Sequence, residues 1–187
     1  MTTPALQTTL PHMHVGSSRL GAILRVQGIV ASMLERLQPL FALAIRFYVS
    51  WVFLKSGWLK LSSWDQTLSL FHDEYHVPLL PPDLAAVVGT FGELFFPMLL
   101  IVGLAGRIGA VGLFAVNAMA VISYAHVLFA EGFEAAIGQH ILWGFMLLVL
   151  AIYGPGSISA DRLIAGAVHT GDAHAGASPN RPATARF

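Results

Sequence analysis

The chain has 187 residues, 56% of them hydrophobic and 11% charged, with a mean hydropathy of +0.69 and a formal net charge of zero. A soluble domain carries about 25% charged residues, so water is excluded as the main solvent of this chain. The absence of cysteine excludes disulfides, iron–sulfur clusters held by thiolates and cysteine nucleophiles, and the ten basic residues are too scattered for a nucleic-acid surface.

Residues 1–18 are polar, with no continuous apolar core and no small-residue cleavage pattern, so they read as a retained terminus and not as a signal peptide. From Leu20 to Leu37 the apolar residues Leu20, Ile23, Leu24, Val30, Leu34 and Leu37 recur at helical spacing, interrupted by Arg25, Gln27, Glu35 and Arg36. That pattern predicts an amphipathic helix over about 20–37, lying at the membrane interface or on the cytoplasmic loops. Pro39 is expected to separate this segment, residues 1–38, from the first of the long apolar stretches.

Residues 39–164 hold four apolar stretches, Leu40 to Leu61, Leu84 to Leu104, Ile108 to Leu128 and Ala135 to Tyr153. Each has about 20 residues, enough for a helix to cross roughly 30 Å of hydrocarbon. The fold class expected is therefore all-α, an integral membrane four-helix bundle surrounded by lipid. Beyond it, residues 165–187 are rich in Gly, Ala, Ser, Thr, Pro and His, a composition expected to stay disordered.

Arg19, Arg25 and Arg36 precede the spans, Arg107 lies between the second and third, and Arg162, Arg181 and Arg186 come after the fourth. The positive-inside rule then predicts a multi-pass protein of the cell inner membrane with both termini cytoplasmic. The two remaining loops, carrying Asp65, Asp73, Glu74 and Asp83 in one and Glu131 and Glu134 in the other, are expected to face outward.

Glu93 falls near the middle of the second stretch, where a carboxylate must find a partner, face water or hold a proton. Counting from the outer ends places Lys55 about 8 Å deep, Glu93 about 14 Å, Asn117 about 16 Å and Arg46 about 21 Å. Arg46 and Lys55 are nine residues apart and project to nearly opposite sides of their helix, so only one of them is expected to meet Glu93. Arg46 is the favoured partner, because a guanidinium binds a carboxylate bidentately while the shallower Lys55 can reach outward. A buried ion pair that only fixes helix register is the competing reading. Pro97 should disturb the helix at the Glu93 carbonyl four residues earlier, and with Gly89 and Gly92 it suggests a pocket wall.

A second constellation is made by His72, His76, His126 and His140, all expected at the outer face, where with Glu131 and Glu134 they form a candidate metal site. Interfacial histidines without metal are the plainer reading, because the spacing matches no metal motif. Trp51 and Trp58 are candidates to contact an aromatic ring, although tryptophans also gather at membrane interfaces. Gly103, Gly106, Gly109 and Gly112 lack the order of a phosphate loop, so they read as packing residues and no nucleotide site is indicated.

The run from Arg46 to Leu61, RFYVSWVFLKSGWLKL, then Gly92-Glu93 and Gly103-Leu104-Ala105-Gly106-Arg107, resembles the DoxX family of small four-helix membrane proteins. Arg46, Gly57, Lys60 and Glu93 match the positions that characterise its pattern. The resemblance implies kinship with a membrane subunit of thiosulfate:quinone oxidoreductase and with oxidoreductase-associated or stress-response complexes. On that basis the chain is expected to be an accessory membrane subunit of an oxidoreductase-type system and not an enzyme alone. It would have a protein partner and an interior site of Glu93 and Arg46, with Lys55, Asn117, Trp51 and Trp58 around a quinone. The alternative is a noncatalytic membrane protein that handles a metal or small ligand, or scaffolds a complex, through its outer loops.

Overall fold

The computed structural model describes residues 15–166 except Pro155, Leu163 and Ala165, with side chains described from Leu20 onward. The expected disorder of the tail beyond Gly166 lies outside the described residues. By compactness the chain divides between Gln38 and Pro39. In the first unit the apolar side chains Leu20, Ile23, Leu24, Val30, Leu34 and Leu37 are all exposed.

Among the described residues the principal helices run, in chain order, α1 (Val15–Ser62), α2 (Trp64–Asp73), α3 (Pro82–Val102), α4 (Gly106–Ser123), α5 (Ala125–Leu128) and α6 (Glu134–Tyr153). No strand occurs among the described residues. Four of the helices, α1, α3, α4 and α6, are long and apolar enough to cross a membrane. The protein is an all-α, multi-pass membrane protein built as a four-helix bundle. Pro39 lies inside α1, so no helix end marks the division of the chain at that residue. Pro97 likewise sits inside α3 and is fully buried.

Two corrections concern the first acidic loop and the third span. Residues 64–73 are helical, because Trp64, Leu68 and Phe71 share one side of a helix and pack on Ala85 and Ala86 at the start of α3. Thr67 fastens α2 to α1, its hydroxyl donating to the Lys60 carbonyl at 2.9 Å. The third span stops at Ser123, short of the expected Leu128, and residues 125–128 form the separate turn α5.

The core of the bundle is a cluster of Val49, Phe53, Leu100, Ala110, Leu113, Leu147 and Leu150, drawn from all four long helices. On α1 the inward face reads Arg46, Ser50, Phe53, Gly57 and Lys60, spaced alternately four and three apart. That spacing keeps one seam of a helix against its neighbours. At Gly57 a Cβ would lie 3.0 Å from the Glu93 Cβ, so the missing side chain lets α3 come close enough to set Glu93 level with this part of α1.

At the opposite end from α2, charged groups satisfy partly buried helix termini. The buried Arg46 guanidinium donates to the carbonyls of Leu100 at 2.8 Å and Ile101 at 2.7 Å, in the last turn of α3, and to that of Ile158 at 2.6 Å, beyond α6. The Asp161 carboxylate accepts from the backbone N–H groups of Ala105 at 2.8 Å and Gly106 at 3.0 Å, at the start of α4. Orphan carbonyls meet a cation and orphan amides meet an anion, as the helix ends demand.

Candidate functional site

A cavity of about 680 Å³ lies between the four long helices and is closed toward one end by Phe71 of α2 and by Tyr75, Val77, Tyr124 and Leu128. Its walls are mostly apolar: Val52 and Phe53 from α1, Gly89, Gly92 and Phe96 from α3, Gly112, Val116 and Met119 from α4, Trp143 from α6. Into this lining project Ser56, Lys60, Glu93 and His140. Phe91 lines the cavity and is 59% exposed, as is Met119 at 40%, so the wall shared by α3 and α4 is open toward the surroundings of the bundle.

Glu93 is 6% exposed and takes the Lys60 ammonium on Oε1 at 2.5 Å. Lys60 also donates to the Ser56 hydroxyl, one turn back on α1, at 3.3 Å. The second carboxylate oxygen, Oε2, is buried with no hydrogen-bond partner among the described residues. An acceptor in that position holds capacity for one more donor, which a buried carboxylate normally fills.

Asn117 is buried at 4% exposure and faces α6. Its Nδ2 donates to the His140 carbonyl at 3.0 Å, and its Oδ1 lies 2.9 Å from His140 Nδ1. Gly144 makes the room for this contact, since a Cβ there would stand 3.3 Å from Asn117 Nδ2. The His140 ring meets the edge of Trp143, with centroids 5.0 Å apart, and Trp143 in turn meets Phe53 of α1 at 5.8 Å.

At the α2 end Tyr75 packs between Phe71 and Tyr124, with ring centroids 4.9 and 5.0 Å away. Burial first, and then the negative charge of Glu93, push the Tyr75 hydroxyl up to about 12. The Tyr124 hydroxyl donates to Glu74 at 2.9 Å, a bond that raises its pKa by favouring the protonated phenol.

The expected Arg46–Glu93 contact is corrected. Arg46 is occupied with the carbonyls at the other end of α3, and the cation on Glu93 is Lys60. Lys55 is exposed, and so are Trp51 at 68% and Trp58 at 67%; none of the three lines the cavity. Asn117 reaches the site only through His140. The four histidines are not assembled: His72 pairs with Asp83 at 2.8 Å, His76 stacks edge-on with His126 at 4.7 Å, and His140 is bound to Asn117. No group of three or more ligating side chains able to hold a metal occurs among the described residues.

Lys60 was the partner that sequence reasoning passed over. Its signal was present in the seam of α1, where Lys60 stands fourteen residues from Arg46 and returns to within about 40° of it around the helix. The closing helix α2 was missed with it, because its segment read as an acidic loop.

Comparison with known proteins agrees with this architecture. The DoxX family profile matches residues 41–127, which include all of α2, α3 and α4 and both Lys60 and Glu93. An uncharacterized protein of Haemophilus influenzae is 30% identical over 129 residues, covering 65% of this chain and 82% of the relative. No solved structure matches the chain. The chain belongs to the DoxX family.

Proposed function

We propose that this protein is a membrane subunit of an oxidoreductase-type system that binds a lipophilic ring compound of the quinone class in the cavity above α2's contact with α3. The observation that carries the reading is the Lys60–Glu93 pair set into an otherwise apolar cavity of about 680 Å³ between membrane-spanning helices. A volume of this size, apolar walls and a few convergent polar groups are the ordinary make-up of a small-molecule site. The open wall at Phe91 and Met119 would let a lipid-soluble compound enter sideways. Ionisable groups at membrane depth are costly enough that a role beyond packing is the default expectation.

In this reading the Lys60 ammonium donates to a ring oxygen, and Glu93 is the proton-accepting group beside it. Phe53, Phe96 and Trp143 would flank the ring in place of Trp51 and Trp58. Electrons would come from or go to a protein partner. The arginines at the chain ends and at Arg107 support a placement in the inner membrane with both termini cytoplasmic and α2 outward.

The test is saturable binding of an alkyl-substituted benzoquinone to the full-length protein in nanodiscs, corrected for partition into empty nanodiscs. Wild type is expected to bind, and Glu93→Gln, if inserted and as heat-stable as wild type, to bind at least ten-fold more weakly. Absence of saturable binding by wild type, or equal binding by the variant, overturns the reading. Co-purification in mild detergent identifies the partner.

A further inference from the structure

Asn117 fixes which nitrogen of His140 carries hydrogen. Its Nδ2 points at the His140 backbone carbonyl, a group that only accepts, so the amide cannot be turned round. Its oxygen therefore faces His140 Nδ1, and the 2.9 Å contact between them requires a hydrogen on that nitrogen. In the neutral imidazole Nε2 is then left as an acceptor. His140 lines the cavity, and Nε2 takes no hydrogen bond from any described residue. The edge contact with Trp143 holds the ring in this setting from a second side.

We propose that His140 is the acceptor for a hydroxyl of the cavity's ligand, so that the site prefers the reduced, hydroquinone form to the quinone. The inference rests on the preceding functional reading. A quinone offers only acceptor oxygens, which suit Lys60 but oppose the Nε2 lone pair. A hydroquinone hydroxyl donates to Nε2, and its second oxygen still accepts from Lys60. Asn117 acts through His140 as a positioning residue. A site built to meet a hydroxyl discriminates strongly against analogues that cannot supply one, because its own polar group is then left unpaired.

The experiment compares an alkyl hydroquinone, kept reduced under argon, with its dimethyl ether and with the corresponding quinone. Full-length protein in nanodiscs is used, with the same correction for partition. Wild type is expected to bind the hydroquinone at least ten-fold more tightly than the ether and several-fold more tightly than the quinone. His140→Phe should reduce the hydroquinone-to-ether ratio to about two or less. His140→Gln, whose amide oxygen supplies an acceptor, should restore part of it. Asn117→Leu frees the imidazole to turn its hydrogen inward and should lower the ratio through weaker binding of the hydroquinone. If wild type binds hydroquinone and ether equally, or if His140→Phe retains the preference, the role given to His140 is overturned while quinone binding stands. If none of the three compounds binds above empty nanodiscs, both this inference and the functional reading fail.

Discussion

Removing Lys60 alone, Glu93 alone, or both together separates what the pair does for stability from what it does for ligand. The side chains are 14% and 8% exposed, and Glu93 Oε1 has Lys60 as its donor while Oε2 has none among the described residues. Lys60→Met therefore leaves a carboxylate in an apolar wall with neither of its oxygens satisfied. Breaking a buried pair from one side costs about 3–5 kcal/mol, whereas replacing both members with apolar groups of similar volume is often neutral or stabilising. The expected order of stability is thus Lys60→Met lowest and wild type close to the double variant Lys60→Met/Glu93→Leu. Glu93→Leu alone should fall less than Lys60→Met, because the ammonium keeps the Ser56 hydroxyl and a flexible stem with which to find water. Denaturation from mixed micelles, monitored by helical circular dichroism, gives the stabilities, and quinone binding in nanodiscs gives the function. A stable double variant with no binding is the predicted signature of a pair retained for its ligand. Single variants within about 1 kcal/mol of wild type would refute the claim that the pair is buried and coupled, and a double variant as unstable as Lys60→Met would refute the uncompensated-charge explanation.

Arg46→Met should destabilise by at least about 3 kcal/mol in the same assay, since three carbonyls lose a charged donor, and Arg46→Lys should recover only part because an ammonium lacks the planar fork. Quinone affinity per folded molecule should not change with Arg46→Lys. Gly144→Val places a side chain against Asn117 Nδ2, where the Cβ alone would stand at 3.3 Å, and should cost about 1–3 kcal/mol and loosen the grip on His140. The Tyr75 hydroxyl ionises near 12 in the folded protein against 10.0 for an ordinary tyrosine. The unfolded chain therefore loses that proton first, and the stability held below pH 10 declines between about pH 10 and 12. Tyrosinate absorbance should show a late-titrating component near pH 12 that is lost in Tyr75→Phe, and equal titration curves for the two proteins would contradict this. Lys55→Ala, Trp51→Ala and Trp58→Ala, all at exposed positions, should leave stability within about 0.5 kcal/mol and binding unchanged.

The four long helices and the presence of an ionic site were legible from hydropathy and from Glu93 alone, because lipid leaves a chain few alternatives. Which cation meets Glu93 was misjudged for a geometric reason. Depth along the sequence equals depth in the bundle only when all spans begin in one plane, and Lys60 lies next to the end of its apolar stretch. In the structure Gly57 lies level with Glu93, where an added Cβ would stand 3.0 Å from the Glu93 Cβ, so α3 is displaced along its axis relative to α1, and α2 packs beside the start of α3. Apolar periodicity reports the face a residue takes but not the axial offset between two helices, which is set by where small residues allow backbones to approach. The angular information was sound: Lys55 lies off the seam of α1 and is exposed, while Arg46, Gly57 and Lys60 lie on it. Read for angle before depth, the same residues give both results, a guanidinium for the far end of α3 and an ammonium for its middle. The seam thus assigns two cations on one helix to opposite duties, one closing helix ends and one facing the cavity, and only the second is placed to meet a ligand.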